Sequence, residues 1–190
     1  MIVRVRLTLT AIAIAVTVGC ASAAPMVEKV EAPGIENFSR IEGQPGFAGS
    51  PVGFGGATKP SAMPWLGSQG FSSVISLRFA AEEGVDVEDS RAAAEAAGLN
   101  YIHLPFSPKK QNTDVVDEFL AAAGDERNQP VYIHCGSATR AAALWMIGRV
   151  LKDGWDIDVA GQEAEKIARK PAEAIAFATK YITSANGKEL

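Results

Sequence analysis

The sequence is poor in cysteine and histidine, with two of each among 190 residues, and it has no excess of basic charge. Its 18 basic residues stand against 22 acidic residues, which gives a formal net charge of −4 at pH 7. Nucleic-acid-binding domains usually carry a basic surface, so we expect no nucleic-acid partner. The few histidines and cysteines are not spaced as paired metal ligands, so we expect no metal centre and no cofactor.

A hydrophobic run long enough to cross a membrane is also missing. The apolar stretch at 7–18 is shorter than the ~20 residues of a membrane-spanning helix. Arg4 and Arg6 precede it, and the small residues ASA at 21–23 follow it. This three-part pattern is typical of a secretory signal peptide with its cleavage site. We therefore predict that residues 1–25 are a signal peptide and that the protein is periplasmic or secreted.

Cys20 leaves a second reading of the N-terminus open. The segment VGCA around Cys20 resembles a bacterial lipobox, although Thr17 stands where leucine is usual. Lipidation of Cys20 would attach the protein to a membrane, whereas cleavage after Ala23 would remove this cysteine. In either case Cys135 has no obvious disulfide partner within the chain. A lone thiol in an oxidising compartment needs to be buried or used, so Cys135 is the residue to explain.

The rest of the chain has the composition of a single globular domain, with 47% hydrophobic and 21% charged residues. We predict a flexible tail at 26–37, a domain at 38–184 and a C-terminal tail at 185–190.

The first part of this domain looks irregular. Residues 38–42 are predicted to form a short edge strand. The segment 43–70 contains 8 glycines and 4 prolines, which indicates turns and loops with a short helix near 61–68.

From residue 71 onward, strands alternate with helices. Strands are predicted at 71–77, 100–104 and 131–134, and helices at 86–97, 113–123, 140–152, 159–170 and 171–182. Thr113 is the predicted N-cap of the second helix. This alternation predicts a three-layer α/β fold, with a mostly parallel central sheet flanked by helices. Ligands of such sheets bind at the carboxyl ends of the strands, and Cys135 directly follows the last predicted strand.

The segment HCGSATR at 134–140 lies between that strand and a long helix. Its small residues allow backbone N–H groups to converge on an anion, and the helix N-terminus adds partial positive charge. Arg140 offers planar N–H donors that match a tetrahedral oxyanion. The same field would stabilise a thiolate at Cys135, which could then attack phosphorus or sulfur.

This strand–loop–helix segment resembles the phosphate-binding loop of cysteine-based protein tyrosine and dual-specificity phosphatases. The similarity extends to VISLR (74–78), VDVEDSRAAAEAAGLNYIHLP (85–105), VDEFLAA (116–122), PVYIHCGSATRAAALW (130–145) and VLKDGW (150–155). Over roughly 38–182 the chain resembles a bacterial branch of that superfamily, the dual-specificity-phosphatase-like or beta-lactamase-hydrolase-like phosphatase domains.

The resemblance implies a role for each residue of the loop. Cys135 would be the nucleophile that forms a phosphocysteine, and Arg140 would bind the phosphoryl oxygens and stabilise the transition state. His134 would lie beneath the loop, hydrogen-bonded to the backbone. No metal would be needed, and the ligand would be a phosphorylated protein, a phosphorylated small molecule, or free phosphate or sulfate. The backbone amides expected to cradle the phosphate belong to Gly136, Ser137, Ala138, Thr139 and Arg140.

Two departures from the phosphatase pattern concern the loop itself. Four residues separate Cys135 from Arg140, where five are usual, and Ala141 replaces a hydroxyl residue that normally helps the thiolate leave. A six-residue loop that begins with cysteine is typical of rhodanese-like sulfurtransferases, which carry a persulfide. Three functions therefore stay open: a cysteine-dependent phosphatase, a sulfurtransferase, and a catalytically weak or inactive phosphate-binding protein.

The general acid is a further open point. Dual-specificity phosphatases place an aspartate shortly after the strand that corresponds to 100–104. Asp114 is the first acidic residue after that strand and is our candidate, with Glu83 and Asp86 as alternatives on the loop after 71–77.

Overall fold

The computed structural model describes residues 27–43, 46–110 and 114–186. The predicted signal peptide, Cys20 and the predicted N-cap Thr113 lie outside the described residues.

A six-stranded sheet forms the centre of the described molecule. Its strands, in chain order, are β1 (Val27–Lys29), β2 (Ser39–Ile41), β3 (Val52–Gly55), β4 (Ser73–Ser76), β5 (Asn100–His103) and β6 (Val131–His134). In space they lie in the order β1-β2-β3-β6-β4-β5. The last four strands of that order run parallel, whereas β2 pairs antiparallel with both β1 and β3. The sheet is therefore mostly parallel, as predicted.

Helices surround this sheet, and their ends follow from local capping. The α-helices of the described ranges are α1 (Met63–Ser68), α2 (Val87–Ala96), α3 (Asp114–Gly124), α4 (Thr139–Leu151), α5 (Ile157–Ile167) and α6 (Pro171–Asn186). At the start of α2 the Asp86 carboxylate accepts a hydrogen bond from the Asp89 N–H, and at the start of α5 the Asp156 carboxylate accepts one from the Asp158 N–H. Pro171 begins α6, where its missing N–H costs no helical hydrogen bond.

Each face of the sheet has its own apolar layer. Ile75 and Ile133 point into a large cluster with buried residues of α3, α4, α5 and α6. Their sequence neighbours Val74 and Tyr132 point into a second cluster with buried residues of α1 and α2. Because successive strand residues face opposite sides, helices cover both faces of the sheet. This confirms the predicted three-layer α/β fold.

The predicted flexible tail at 26–37 is wrong for the described part of that segment. Val27–Lys29 forms β1 and pairs with β2 in the register Val27↔Ile41, and Ile35 is buried in the second cluster. Because β1 occupies the outer side of β2, the segment predicted as an edge strand at 38–42 is an interior strand.

The segment 43–70 contains a strand, β3, that was not predicted, because the glycines of the segment indicated turns. All four residues of β3 are buried, and β3 pairs in parallel with β6. A Cβ at Gly53 would collide with the Phe71 ring, and one at Gly55 would collide with the Tyr132 hydroxyl. These two glycines make room for aromatic side chains, so they do not mark turns. The short helix predicted in the same segment is α1.

At the other end, α6 continues to Asn186, beyond its predicted end at 182. The predicted C-terminal tail therefore starts too early at 185, and residues 187–190 lie outside the described part. Within the described ranges, no helix combines the length and the apolar character that crossing a bilayer requires.

Candidate active site

Cys135 lies at the carboxyl edge of the sheet, between two parallel neighbours of β6. The Cys135 N–H donates a hydrogen bond to the Gly55 carbonyl at the end of β3, at 3.2 Å. The Leu77 N–H, just after β4, donates to the His134 carbonyl at 2.9 Å. The chain then turns through residues 135–140, here named the Cys–Arg loop, and enters α4 at Thr139. The edge where parallel sheets bind ligands thus holds the predicted nucleophile.

Small residues allow this loop to turn sharply. Ala138 has φ +61°, in the left-handed region that non-glycine residues rarely adopt. Such a conformation costs of order 1–3 kcal/mol and persists only where the surroundings enforce it. Ser137 pairs with Gly56 in an isolated antiparallel bridge, and the Ala142 N–H donates to the Ala138 carbonyl at 2.9 Å. The loop is therefore fixed on both sides of the strained residue.

The Cys135 side chain is buried at the base of this loop, with 1% of its surface exposed. The Arg140 guanidinium lies against it. Although burial opposes the shift, the Glu82 carboxylate and the Cys135 side chain raise the pKa of Arg140. The first N–H groups of α4, at the same end of the helix, have no intrahelical partners and add partial positive charge. The loop therefore places the Cys135 sulfur, the predicted nucleophile, beside fixed donors for an anion.

Arg140 is held from three segments of the chain. Its Nη1 donates to the carbonyls of Leu77, at 2.9 Å, and Phe106, at 3.0 Å. Its Nη1 and Nη2 donate to the two carboxylate oxygens of Glu82, at 2.7 and 2.8 Å. A bidentate pair of this kind fixes the plane of a guanidinium as well as its position. Arg140 is thus oriented before any ligand arrives.

Sequence analysis missed Glu82, which joins the site from the loop after β4. Besides Arg140, its carboxylate accepts hydrogen bonds from Arg78 Nε, at 3.2 Å, and from the Phe79 N–H, at 2.9 Å. Although burial opposes the shift, the hydrogen bonds from Arg140 and Phe79 lower the pKa of Glu82 to about 2. Glu82 is therefore ionised at ordinary pH and cannot donate a proton to a leaving group.

Glu83 and Asp86, the alternative general acids predicted on this loop, make contacts that stabilise the fold. Asp86 caps α2. The described contact of Glu83 is made by its backbone carbonyl, which accepts from Arg78 Nη2 at 2.7 Å. The i,i+4 spacing of Arg78 and Glu82 directly after a predicted strand was a signal for an ion pair, but it did not reveal Arg140 as the third member.

His134 lies beneath the loop, as expected, with 4% of its surface exposed. Its ring stacks on Tyr132 with 5.6 Å between centroids. Burial, with a smaller contribution from the Arg78 charge, lowers the pKa of His134 to about 4, and the nearby backbone of Gly56 and Cys135 only partly opposes this. Neither ring nitrogen makes a hydrogen bond of ordinary geometry among the described residues, although the backbone of Gly56 and Cys135 lies close enough to the ring to act on its pKa. The imidazole is neutral at pH 7.

No described contact joins Asp114 to the Cys–Arg loop. Asp114 is the first residue of α3 and is exposed. Burial and the carboxylates of Asp117 and Asp114 raise the pKa of Tyr181, so the charges at this end of α3 act on a residue of α6. Tyr181 lies ten residues into α6, about 15 Å along the axis from its N-terminus.

A cavity of about 480 Å³ opens on the flank of the Cys–Arg loop, and we name it the flank cavity. Asp114 does not line it. Within the described ranges, no group of three or more His, Cys, Asp or Glu side chains is arranged to hold a metal ion. The residues that line the flank cavity are Ser107, Pro108, Lys109, Ser137, Thr139, Arg140, Ala143, Lys170, Glu173 and Ala174.

Solved structures with a similar fold are phosphatases. TpbA from P. aeruginosa is 21% identical to this chain, with a TM-score of 0.61 over 84% of this chain and 91% of TpbA. The Siw14 catalytic core from S. cerevisiae is 18% identical, with a TM-score of 0.60 over 83% of this chain and 96% of that one. At these identities the likeness defines the fold, which is that of the cysteine-based phosphatases, a class of phosphoric monoester hydrolases.

The family follows from the sequence of the central part of the domain. Residues 55–152 match the family model of the beta-lactamase hydrolase-like protein, phosphatase-like domain, and the chain belongs to this family. A beta-lactamase hydrolase-like protein of Agrobacterium fabrum is 33% identical over 90 residues. That match covers 46% of this chain and 21% of the relative, so the chain spans about a fifth of that protein. The resemblance stated from sequence is confirmed.

Proposed function

We propose that the protein hydrolyses phosphomonoesters through a covalent phosphocysteine at Cys135. The observation that carries this proposal is the buried Cys135 side chain beside a pre-oriented Arg140, in a loop that opens at a helix N-terminus. Preorganised donors of this kind stabilise the charge that develops on transferred phosphoryl oxygens. The family and the fold support the same chemistry.

The proposed reaction has two displacements at phosphorus. The Cys135 thiolate attacks, a P–S bond forms, and the P–O bond to the leaving group breaks while the leaving oxygen takes up a proton. Water then attacks the phosphocysteine, the P–S bond breaks, and phosphate and the thiolate are released. In both steps Arg140 and the loop amides bind the equatorial oxygens.

Protonation of the leaving group is the step that the described residues of this site support least. General acid catalysis contributes roughly 10²–10⁴ in rate. Glu82 is ionised, and Asp114 is exposed at the start of α3 and does not line the flank cavity. Glu173, the carboxylate that does line it, is exposed and paired with Lys170 at 3.5 Å. We therefore propose that aryl phosphates, whose leaving groups need little protonation, react much faster than alkyl phosphates. Replacement of Asp114 by Asn is expected to change either rate less than twofold.

The substrate is proposed to be a phosphorylated or phosphate-like anion. TpbA has been solved in complex with phosphotyrosine and the PP-IP phosphatase Siw14 in complex with citrate, so this fold accepts both an aryl phosphate and a small polyanion. Export to the periplasm, or lipid attachment at Cys20, is a further part of the proposal. It rests on the N-terminal sequence pattern and can be tested by cell fractionation and by the mass of the mature protein.

The first experiment is hydrolysis of an aryl phosphate by the chain from residue 26 under reducing conditions. Wild type is compared with Cys135→Ser and, as a matched surface control, Ser184→Ala on the exposed side of α6. We expect turnover in wild type and the control and none in Cys135→Ser, with a phosphorylated cysteine trapped by rapid acid quench. Turnover that survives in Cys135→Ser would overturn the phosphocysteine mechanism.

Two other functions are supported by single observations. The ionised state of Glu82 and the exposed position of Glu173, which leave the leaving group without an obvious proton donor among the described residues, favour an anion-binding protein without turnover. Binding of phosphate to an inactive wild type would establish it. The loop length favours a sulfurtransferase, and thiocyanate formation from thiosulfate and cyanide that depends on Cys135 would establish that function.

A further inference from the structure

The flank cavity is adjacent to the Cys–Arg loop but separate from its base. Ser137, Thr139 and Arg140 of the loop line it, whereas the Cys135 side chain does not. The flank cavity is larger than a phosphoryl group, so a phosphoryl group held at the Cys–Arg loop would leave room there for another part of the same molecule. A volume of about 480 Å³ lies in the range of sites for small molecules.

Positive charge reaches the flank cavity from two directions. Lys109 approaches from the segment after β5, and Lys170 approaches from the turn between α5 and α6. Arg140, the last residue of the loop, adds a third positive charge to the cavity lining. A single carboxylate, that of Glu173, lines the cavity with them. Its pair with Lys170 is exposed on both sides, at 67% and 64%, so solvent screens it and an anionic ligand can displace it at little cost.

The position of Lys170 is tied to the loop through its backbone. The Lys170 N–H donates to Thr139 Oγ1, and the preceding Arg169 N–H donates to the Ser137 carbonyl, both at 3.2 Å. Ser137 Oγ and Thr139 Oγ1 are themselves 3.1 Å apart. The base of the Lys170 side chain is therefore held at a fixed offset from the anion-binding loop. This is the arrangement that recognition of two anions at a set spacing requires.

We propose that the flank cavity is a second anion subsite and that the substrate is a small phosphoester with a second phosphate or carboxylate group. The first phosphoryl group occupies the Cys–Arg loop, and the second anion lies between Lys109 and Lys170. This inference rests on the proposed function for the placement of the first group. The positive charges of the cavity provide the attraction for the second group, so a neutral substituent there does not increase the binding affinity.

The test measures binding of a length series by Cys135→Ser protein, which cannot turn the ligands over. The probes are straight-chain alkanediol bisphosphates of two to eight carbons, alkyl monophosphates of matching length, and the ω-carboxyalkyl phosphates. We expect an optimum length at which the bisphosphate binds at least tenfold more tightly than its monophosphate in isothermal titration calorimetry. The carboxyalkyl series shows whether the second anion can be a carboxylate.

Single substitutions test whether the gain in bisphosphate affinity comes from the flank cavity. Lys170→Ala in the same background is expected to remove most of the tenfold gain while monophosphate affinity changes less than twofold. Glu173→Gln, which removes the competing carboxylate, is expected to increase the gain. Lys180→Ala is the matched control, because Lys180 is an exposed lysine on α6 outside the flank cavity, and it should leave the gain unchanged.

The outcomes separate this inference from the proposed function. Equal affinity for bisphosphates and monophosphates at every length would overturn the second subsite, even if wild type hydrolyses aryl phosphates. A length optimum that Lys170→Ala leaves intact would also overturn it. A length optimum that depends on Lys170 would support the subsite, even if wild type shows no turnover and the proposed hydrolysis is therefore wrong.

Discussion

Helix α4 carries two arginines that are both paired with a glutamate, and the two pairs lie in different surroundings. Near its C-terminal end, Arg149 and Glu163 have no exposed side-chain surface. Arg149 donates to both Glu163 oxygens, at 2.9 and 3.2 Å, and to Asp153 at 2.9 Å. Its guanidinium lies over the rings of Trp145 and Trp155, at 4.4 and 4.1 Å from their centroids.

The pair at the N-terminal end is more open. The side chains of Arg140 and Glu82 are 18% and 28% exposed. The bonds to Glu82, Leu77 and Phe106 occupy both Nη1 hydrogens and one Nη2 hydrogen, so Nε and the second Nη2 hydrogen stay available to Cys135 and a bound anion. An arginine–glutamate pair is thus a structural element at Arg149, where the guanidinium is fully buried and each of its nitrogens is hydrogen-bonded. It is a binding element at Arg140, where donors stay available.

The largest effect is expected from breaking the covered pair. Arg149→Met should lower the free energy of unfolding by about 3–5 kcal/mol, because the Glu163 charge would stay buried without its partner. Urea unfolding followed by fluorescence would measure the loss. The double variant Arg149→Met with Glu163→Met should recover much of it, since two apolar groups need no counter-charge. A loss below about 1 kcal/mol in the single variant would contradict a structural role for this pair.

Replacement of Arg140, the arginine of the more exposed pair, should lower the rate of the reaction. Arg140→Lys keeps one charge but loses the planar donors, so kcat/KM for an aryl phosphate should fall about 10²–10³-fold. The free energy of unfolding should fall by less than in Arg149→Met. Steady-state kinetics and urea unfolding of the same preparation would check both. If kcat/KM stays within threefold of wild type, Arg140 does not bind the transferred phosphoryl group.

The pH dependence of stability below pH 6.5 should come largely from His134, the last residue of β6. The unfolded chain binds a proton at His134 near pH 6.5, and the folded chain only near pH 4. The unfolded state therefore binds more protons between these values, and the free energy of unfolding falls as the pH drops from 6.5 towards 4, by at most about 3 kcal/mol. Urea unfolding across this range should show a shallower fall for His134→Phe, which retains stacking on Tyr132. Equal slopes in both proteins would contradict this assignment.

A smaller effect is expected from loosening the open pair. Glu82→Gln keeps the shape of the side chain but removes its charge, so Arg140 is oriented less firmly and kcat/KM should fall about tenfold, or about 1.4 kcal/mol. Glu82→Asp, which restores the charge on a shorter side chain, should recover part of the loss. An increase in kcat/KM for Glu82→Gln would instead indicate that Glu82 competes with the substrate for Arg140.

Sequence patterns were sufficient for the regular part of the fold. Strands β4, β5 and β6 have apolar or β-branched runs, and the helices after them have clear boundaries such as Asp86 and Pro171. The strand-to-helix junction then placed Cys135 and Arg140 together, because both lie within one loop. These features are local, so the sequence alone could predict them.

The parts that sequence did not reveal depend on distant contacts. β1 and β3 are short, and β3 contains two glycines that make room for side chains from elsewhere in the chain, Gly53 for the Phe71 ring and Gly55 for Tyr132. Glu82 meets Arg140 across 58 residues. No pattern within either segment encodes that meeting, because it is created by the parallel pairing of β4 with β6.

The hydrogen bonds from Arg169 and Lys170 to the Cys–Arg loop determine where a functional fragment can end. The match to the family model starts at residue 55, after β1 and β2. It stops at residue 152, before α5 and α6. A protein trimmed to those limits would keep Cys135 and Arg140 but lose two of the contacts that brace their loop and the helices that cover α4. The proposed nucleophile and its arginine lie within six consecutive residues, whereas their alignment is a property of nearly the whole described chain.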